Sequence, residues 1–208
     1  MRDTRQRVLE SACEVFAEKG YQDAKVGDIC AQADANIAAV NYHFGSKRKL
    51  YVEVLRYAAA CADRDHPLAC EDPKAQSAKK RLEHFIHSHF ARTFSDGISG
   101  CFPKLLVHEV TNPTFAHESV FRELLHPEML LLEGIVGELL PEEVPAWRRR
   151  LYVANVIGLC AFFQFSEPAR RHAMLIHAEQ MDEFVRHTTE FALAGIRSVR
   201  KSIQETQS

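Results

Sequence analysis

Little in this chain stiffens, staples or anchors it. Its 208 residues include nine glycines and eight prolines, too few for a collagenous or low-complexity chain. The six cysteines (Cys13, Cys30, Cys61, Cys70, Cys101 and Cys160) contain no CxxC pair. That removes a zinc-ribbon or disulfide framework and leaves reduced thiols as the expectation. The longest apolar run, Val156 to Phe163, falls far short of the ~20 residues of a spanning helix. Met1 to Glu10 is charged and lacks the apolar core of a secretion signal, so the expected compartment is the cytoplasm, with no membrane partner. No excess of either charge exists: 26 Lys and Arg stand against 28 Asp and Glu, a net −2. The strongly basic balance of many nucleic-acid binders is therefore missing. A net charge sums the whole chain, however, whereas DNA touches one face.

Strand signals are also missing, since no segment sustains period-2 alternation between turn residues. Helical spacing recurs instead. Val8, Leu9, Ala12, Cys13 and Phe16 form one stripe, which predicts a helix over 4–19 that ends at Gly20, with Tyr21 packing back on it. Val26, Ile29, Cys30 and Ala33 form a second, and Ile37, Val40 and Phe44 a third. Asp34, Ala35 and Asn36 alone separate these two short stripes, the sequence form of a helix-turn-helix. Ser46 can cap a fourth helix that runs to Asp65. Longer helices are predicted over 77–94, 101–110, 114–139, 143–166 and 173–202, with a turn at Asp96–Gly100. The expectation is an all-α fold of about nine helices. Residues 1–50 make a three-helix unit that holds the helix-turn-helix, and 51–208 a larger helical domain.

The third stripe carries chemistry. On a helical wheel Ile37, Val40 and Phe44 share one arc and should face inward. Ala38, Ala39, Tyr42 and His43 then point outward, with Asn41 at the edge. Alanines let a helix approach the major groove and touch thymine methyl groups. Tyr42 and His43 can donate to phosphate oxygens, and Lys47 adds a cation at the start of the next helix. Lys25 and Asn36 stand at the starts of the second and third helices. Residues 1–50 hold eight cations against seven anions, so placement matters more than total charge.

These segments resemble the TetR family of one-component transcriptional regulators. The resemblance lies in Phe16-Ala17-Glu18-Lys19-Gly20-Tyr21, in Asp28-Ile29-Cys30 and in Tyr42-His43-Phe44-Gly45-Ser46-Lys47. The C-terminal part is similar to the CecR-like subgroup through Leu106 to Pro113 and Gly158 to Pro168. The resemblance implies that residues 1–50 are a DNA-binding domain with the third helix as recognition helix, that Lys25 and Asn36 complete the DNA-contact set, and that 51–208 form an effector-binding and dimerisation domain. It also implies a repressor released from a palindromic double-stranded operator by a small organic effector. Three departures stand out. Lys25 replaces the usual Thr or Ser cap of the second helix, Gly27 a common Arg, and Asp34 the turn glycine. Asp tolerates the left-handed conformation that the turn requires.

The segment 143–166 is apolar on nearly every side and so should bury two faces, one of them on a second copy. Paired half-sites favour a two-fold dimer. In the family the last two helices form that interface, which implies 143–166 and 173–202 here. The resemblance further implies an effector pocket, for which Phe90, Phe94, Phe102, Leu105, His108, Glu109, Phe121, Leu125 and Met129 are the candidates. Redox or metal sensing by a DNA-binding regulator is the alternative, since His84, His87 and His89 lie close together. Their spacing matches no standard metal site, so no metal or cofactor is expected. No nucleophile elbow, P-loop or zinc-protease motif occurs, and nothing orients His108 toward Cys101. The chain is therefore not expected to be an enzyme.

Overall fold

The computed structural model describes residues 3–165 and 178–207, with side chains described for 3–165 and 179–199. Among the described residues every regular element is helical. In chain order these are α1 (Thr4–Asp23), α2 (Val26–Gln32), α3 (Ile37–Phe44), α4 (Lys47–Asp65), α5 (Ala78–Phe94), α6 (Gly97–Thr111), α7 (His117–Val120), α8 (His126–Leu139), α9 (Ala146–Phe165) and α10 (Met181–Gln207). Residues 173–177 of the expected last helix lie outside the described residues, as do Ser166, Glu167 and Pro168 of the C-terminal motif.

Two compact units result. The first holds α1–α4 together with Ser95–Leu124, and the second holds His66–Phe94 and the chain from Leu125 onward. The functional division expected at residue 50 is a different partition from this one. In the first unit α4 and α6 pack along each other and both pack on α1. Val8, Ala12 and Phe16 of α1, Ile29 of α2, Val40 of α3, Leu50, Val54 and Ala58 of α4 and Leu105 of α6 are all fully buried there. Removing that much apolar surface from water fixes the short helices α2 and α3, which are too short to persist alone.

Local chemistry explains the helix ends. At Gly20 the backbone turns to φ +70°, and the Ala24 amide bonds to the Gly20 carbonyl. The helix is thus broken where the sequence places its end. Tyr21 folds back, its ring 6.3 Å from Phe16 and 4.9 Å from Tyr51. Asp34 takes φ +47°, the left-handed turn residue of the helix-turn-helix. The Ser46 hydroxyl accepts from the Lys49 amide and caps α4.

Two expected elements differ. The turn expected at 96–100 is instead the first turn of α6, which begins at Gly97. Gly100 sits so close to Ser95 that a Cβ would lie 1.9 Å from the Ser95 carbonyl oxygen. The glycine that reads as a breaker is there for close packing. The helix expected over 114–139 is split into α7, a wide π turn over Phe121–Leu125, and α8. Pro127 occupies the first turn of α8, where its missing amide hydrogen costs nothing, so the regular ladder restarts there.

The second unit has its own core. Leu82, Phe85, Ile86 and Phe90 of α5 meet Leu132 and Val136 of α8, Val156 and Cys160 of α9, and Ile196 of α10. Arg92 is almost fully buried here, bonding to the His66 carbonyl at 2.9 Å and to Glu128 at 2.7 Å. No helix among the described residues is long and apolar enough to cross a membrane.

Candidate nucleic-acid interface

Helix α3 is held from three sides by α1, α2 and α4. Val40 and Phe44 anchor it, buried to 0% and 3% exposure. Asn36 caps its start, accepting the Ala39 amide on Oδ1 at 2.8 Å. Gly45 ends it at φ +76°, with its amide bonded to the Asn41 carbonyl. The preceding turn is fixed by Arg7, whose guanidinium donates to the carbonyls of Ala33 (3.0 Å) and Asp34 (3.2 Å). Lys19 ties α1 to α2 through Asp28 at 2.8 Å. The result is a short, rigid helix standing out from a packed base.

Its outer face is open. Tyr42 is 86% exposed, Ala38 and Asn41 are exposed, and Ala39 and His43 are half-buried. The Tyr42 and His43 rings meet edge to face at 5.0 Å. Six of the eight expected contact residues therefore lie on α3 or at its cap, with Lys25 exposed at the start of α2. Two of the eight carry internal duties. The Asn36 acceptor is used by the cap. The Lys47 ammonium donates to the Gln22 carbonyl at 3.3 Å and sits 4.6 Å from the Tyr21 ring centre. Partial burial lowers its pKa, against the opposing pull of Asp23.

The wheel placed Ile37 inward, and this is corrected. Ile37 is 56% exposed. It is the first residue of α3, so no preceding helical turn lies over it. The wheel gives its azimuth correctly but not its height above the α1–α2 base. Neighbouring cations are also engaged: Arg5 pairs with Glu53 and lies over Phe44, and the Arg48 guanidinium stacks on Phe115 at 3.9 Å.

The expected effector residues are not gathered within either unit. Phe102 and Leu105 are buried in the core of the first. Glu109 is fully buried there, accepting the Tyr51 hydroxyl at 2.6 Å, the Thr114 hydroxyl at 2.8 Å and the Thr114 amide at 3.2 Å. His108 Nε2 lies 3.2 Å from the Ala17 carbonyl, so that nitrogen carries the hydrogen. Phe121 is 39% exposed against His117. In the second unit Phe90 and Phe94 stack at 6.4 Å, and Phe163 and Phe184 meet Phe90 at 5.2 and 6.4 Å. Leu125 is half-buried and Met129 exposed. Sequence reading missed the Tyr51–Glu109 bond, because its two partners lie 58 residues apart.

Helices α9 and α10 bound an open cleft of about 760 Å³, lined by Asn155, Gly158, Leu159, Phe162, Phe191 and Gly195 among others. Phe162 and Phe191 are 45% and 62% exposed. A Cβ added at Gly158 or Gly195 would meet nothing within 4 Å.

Comparison with known proteins agrees with this architecture. Residues 8–54 match the family described as bacterial regulatory proteins, tetR family. Residues 78–196 match the C-terminal domain of the HTH-type transcriptional dual regulator CecR. The HTH-type transcriptional repressor NicS of Pseudomonas putida is 32% identical over 92 residues, 43% of this chain and 42% of that protein. The chain thus spans less than half the length of the curated relatives it matches. Among solved structures, the transcriptional regulator FadR from Bacillus subtilis in complex with stearoyl-CoA superposes with a TM-score of 0.69 at 18% identity, covering 92% of this chain and 98% of that one. The regulator PfmR from Thermus thermophilus superposes with a TM-score of 0.66 at 22% identity, covering 93% and 97%. Those likenesses show the fold. With the C-terminal match spanning more than half of the chain and the helix-turn-helix match preceding it, the chain belongs to the TetR family of bacterial regulatory proteins and carries a CecR-type C-terminal domain.

Proposed function

We propose that this protein is a dimeric transcriptional repressor that binds a palindromic double-stranded operator in the cytoplasm and is released by a small organic effector. The family is one of regulators and not of enzymes. The observation that carries the reading is the open face of α3 on a buried base. Tyr42 and His43 face phosphates, Ala38, Ala39 and Asn41 face bases, and Lys25 supplies a cation beside them. Repression follows the relative NicS, which is named as a repressor. Tyr42→Ala tests the site, because an 86% exposed ring can be removed without touching the core. Loss of a charge-assisted bond to phosphate in each subunit weakens operator binding about ten-fold or more, with melting unchanged. Wild-type affinity in this variant overturns the assignment.

The dimer is assigned to the α9–α10 face. Val153, Val156 and Cys160 bury one side of α9 within its own unit, while Trp147, Leu151, Phe162 and Phe165 are exposed. A second copy covering that face satisfies the two-sided apolar pattern. The effector is assigned to the α5 region of the second unit, where Phe90, Phe94, Phe163 and Phe184 cluster. His89 is the polar anchor, because its buried Nε2 has no hydrogen-bond partner. A ligand that binds one conformation better shifts the population and lowers operator affinity. The check is a screen for compounds that raise the melting temperature of the wild type and release operator, repeated on His89→Leu. Release unaltered in that variant removes His89 from the site.

Metal or redox sensing has less support. All six cysteines are buried, and burial pushes the thiols of Cys101 and Cys160 up to about 11 and about 12. A reactive thiol needs the opposite shift. Among the described residues no group of three or more His, Cys, Asp and Glu is arranged to hold a metal ion.

A further inference from the structure

We infer that α3 reads its half-site through thymine methyl groups, with Ile37 as the reading side chain, so that the base pairs under its first turn are A·T pairs. The inference rests on the proposal that α3 is the recognition helix, and it adds the chemistry of the operator.

Three features lead there. Ile37 is 56% exposed, while Val40 and Phe44 on the same arc are buried to 0% and 3%. A branched apolar side chain held in water at that point adds nothing to the core. It does present a branched apolar surface to whatever lies beyond the helix start. Beside it stands Ala38, also exposed, so the side chains of these two leading residues offer carbon groups only. The Asn36 side-chain oxygen, which could otherwise accept from a base there, is held by the Ala39 amide at 2.8 Å.

The chemistry of the other bases points the same way. Guanine is read in the major groove by the bidentate fork of Arg or by Lys. Residues Ile37–Phe44 contain neither. Arg7 holds the carbonyls of Ala33 and Asp34, the Lys47 ammonium is engaged by Gln22 and the Tyr21 ring, and the exposed Lys25 lies at the start of α2 and is assigned to the phosphates. Cytosine is read by a carboxylate, and α3 has none. Thymine alone presents a C5-methyl group in that groove, and an apolar side chain is its partner. Asn41, one helical turn after Ile37 and exposed, has the donor and acceptor pair that matches adenine N7 and N6. The face thus carries a thymine reader and an adenine reader one turn apart.

The test uses the full-length protein. Duplexes recovered from a random pool define the half-site. Each thymine is then replaced in turn, in both half-sites together, by deoxyuridine, which removes the methyl and keeps every hydrogen-bonding group. At the position contacted by Ile37 the wild type binds about sixteen-fold more weakly, about four-fold for the one buried methyl in each half-site. Ile37→Ala binds the parent duplex as weakly as the wild type binds the deoxyuridine duplex, and the same replacement weakens it no further. Deoxyuridine duplexes bound as tightly as the parent overturn the inference while DNA binding stands. So does an equal loss in wild type and Ile37→Ala, or a half-site with G·C pairs under the first turn of α3. A pool from which no duplex is recovered overturns the proposed function, and the inference with it.

Discussion

At the scale of single residues, buried polar groups decide more than their number suggests. Glu109 is fully buried and is held by Tyr51 and Thr114. Tyr51→Phe keeps the ring packing and strands part of that carboxyl group. It should lower unfolding free energy by about 1–3 kcal/mol in a denaturant titration. Burial, with Glu109 next, raises the Tyr51 pKa above its ordinary value of 10.0. The folded state therefore keeps the phenol proton where the unfolded chain loses it. Stability from Tyr51 is complete below pH 10 and falls as pH rises beyond it. His89 works in the other direction. Burial, with Arg92 adding to it, pushes its pKa from 6.5 down to about 4. The unfolded chain then binds a proton that the folded one refuses. Stability from this site is complete above pH 6.5 and falls by up to about 3 kcal/mol as pH drops toward 4. His89→Phe should flatten that part of the pH profile, and an unchanged slope would assign it elsewhere.

At the scale of elements, two glycines are fixed by their neighbours. Gly20 takes φ +70°, and a Cβ there would come within 2.9 Å of His108 Nδ1. Gly20→Ala meets both obstacles and should cost about 1–3 kcal/mol, read as a lowered melting temperature. Much of this level was legible in the sequence. The stripe from Val8 to Phe16, the break at Gly20 and the left-handed Asp34 follow from local spacing and backbone preference. Gly100 was not legible. A glycine needed for close approach and a glycine needed for a turn look the same in a sequence, and only the 1.9 Å distance to the Ser95 carbonyl separates them. The outward Ile37 is a similar case, because a wheel has no height.

At the scale of the whole molecule, charge and apolar surface set the partners. The cations after α3 are largely engaged, Lys47 by Gln22 and Tyr21 and Arg48 by Phe115. Few phosphates are then neutralised per subunit. The slope of log affinity against log salt should be shallower than about −10 per dimer, at about 0.9 per phosphate. A steeper slope in a salt titration would mean that these side chains let go of their internal partners on binding DNA. The exposed rings of Phe162 and Phe191 line the α9–α10 cleft. Phe191→Asp places a charge in the proposed dimer face, while α10 keeps its inner residues Val185, Ala192 and Ile196. Sedimentation should show monomers for this variant, with operator binding lost alongside and helicity retained.

By itself the sequence determined the all-helical class, the helix-turn-helix and the outward set on α3, because these follow from apolar periodicity, capping and turn chemistry within a few residues. The tertiary structure alone decided which polar and cationic groups remain open to a partner. His108, Glu109 and Lys47 all read as contact residues, yet each is held by a neighbour inside the chain. Ile37 reads as core, yet it stands in solvent. Availability depends on what packing brings beside a side chain from 25 to 91 residues away, and spacing along the chain does not record it.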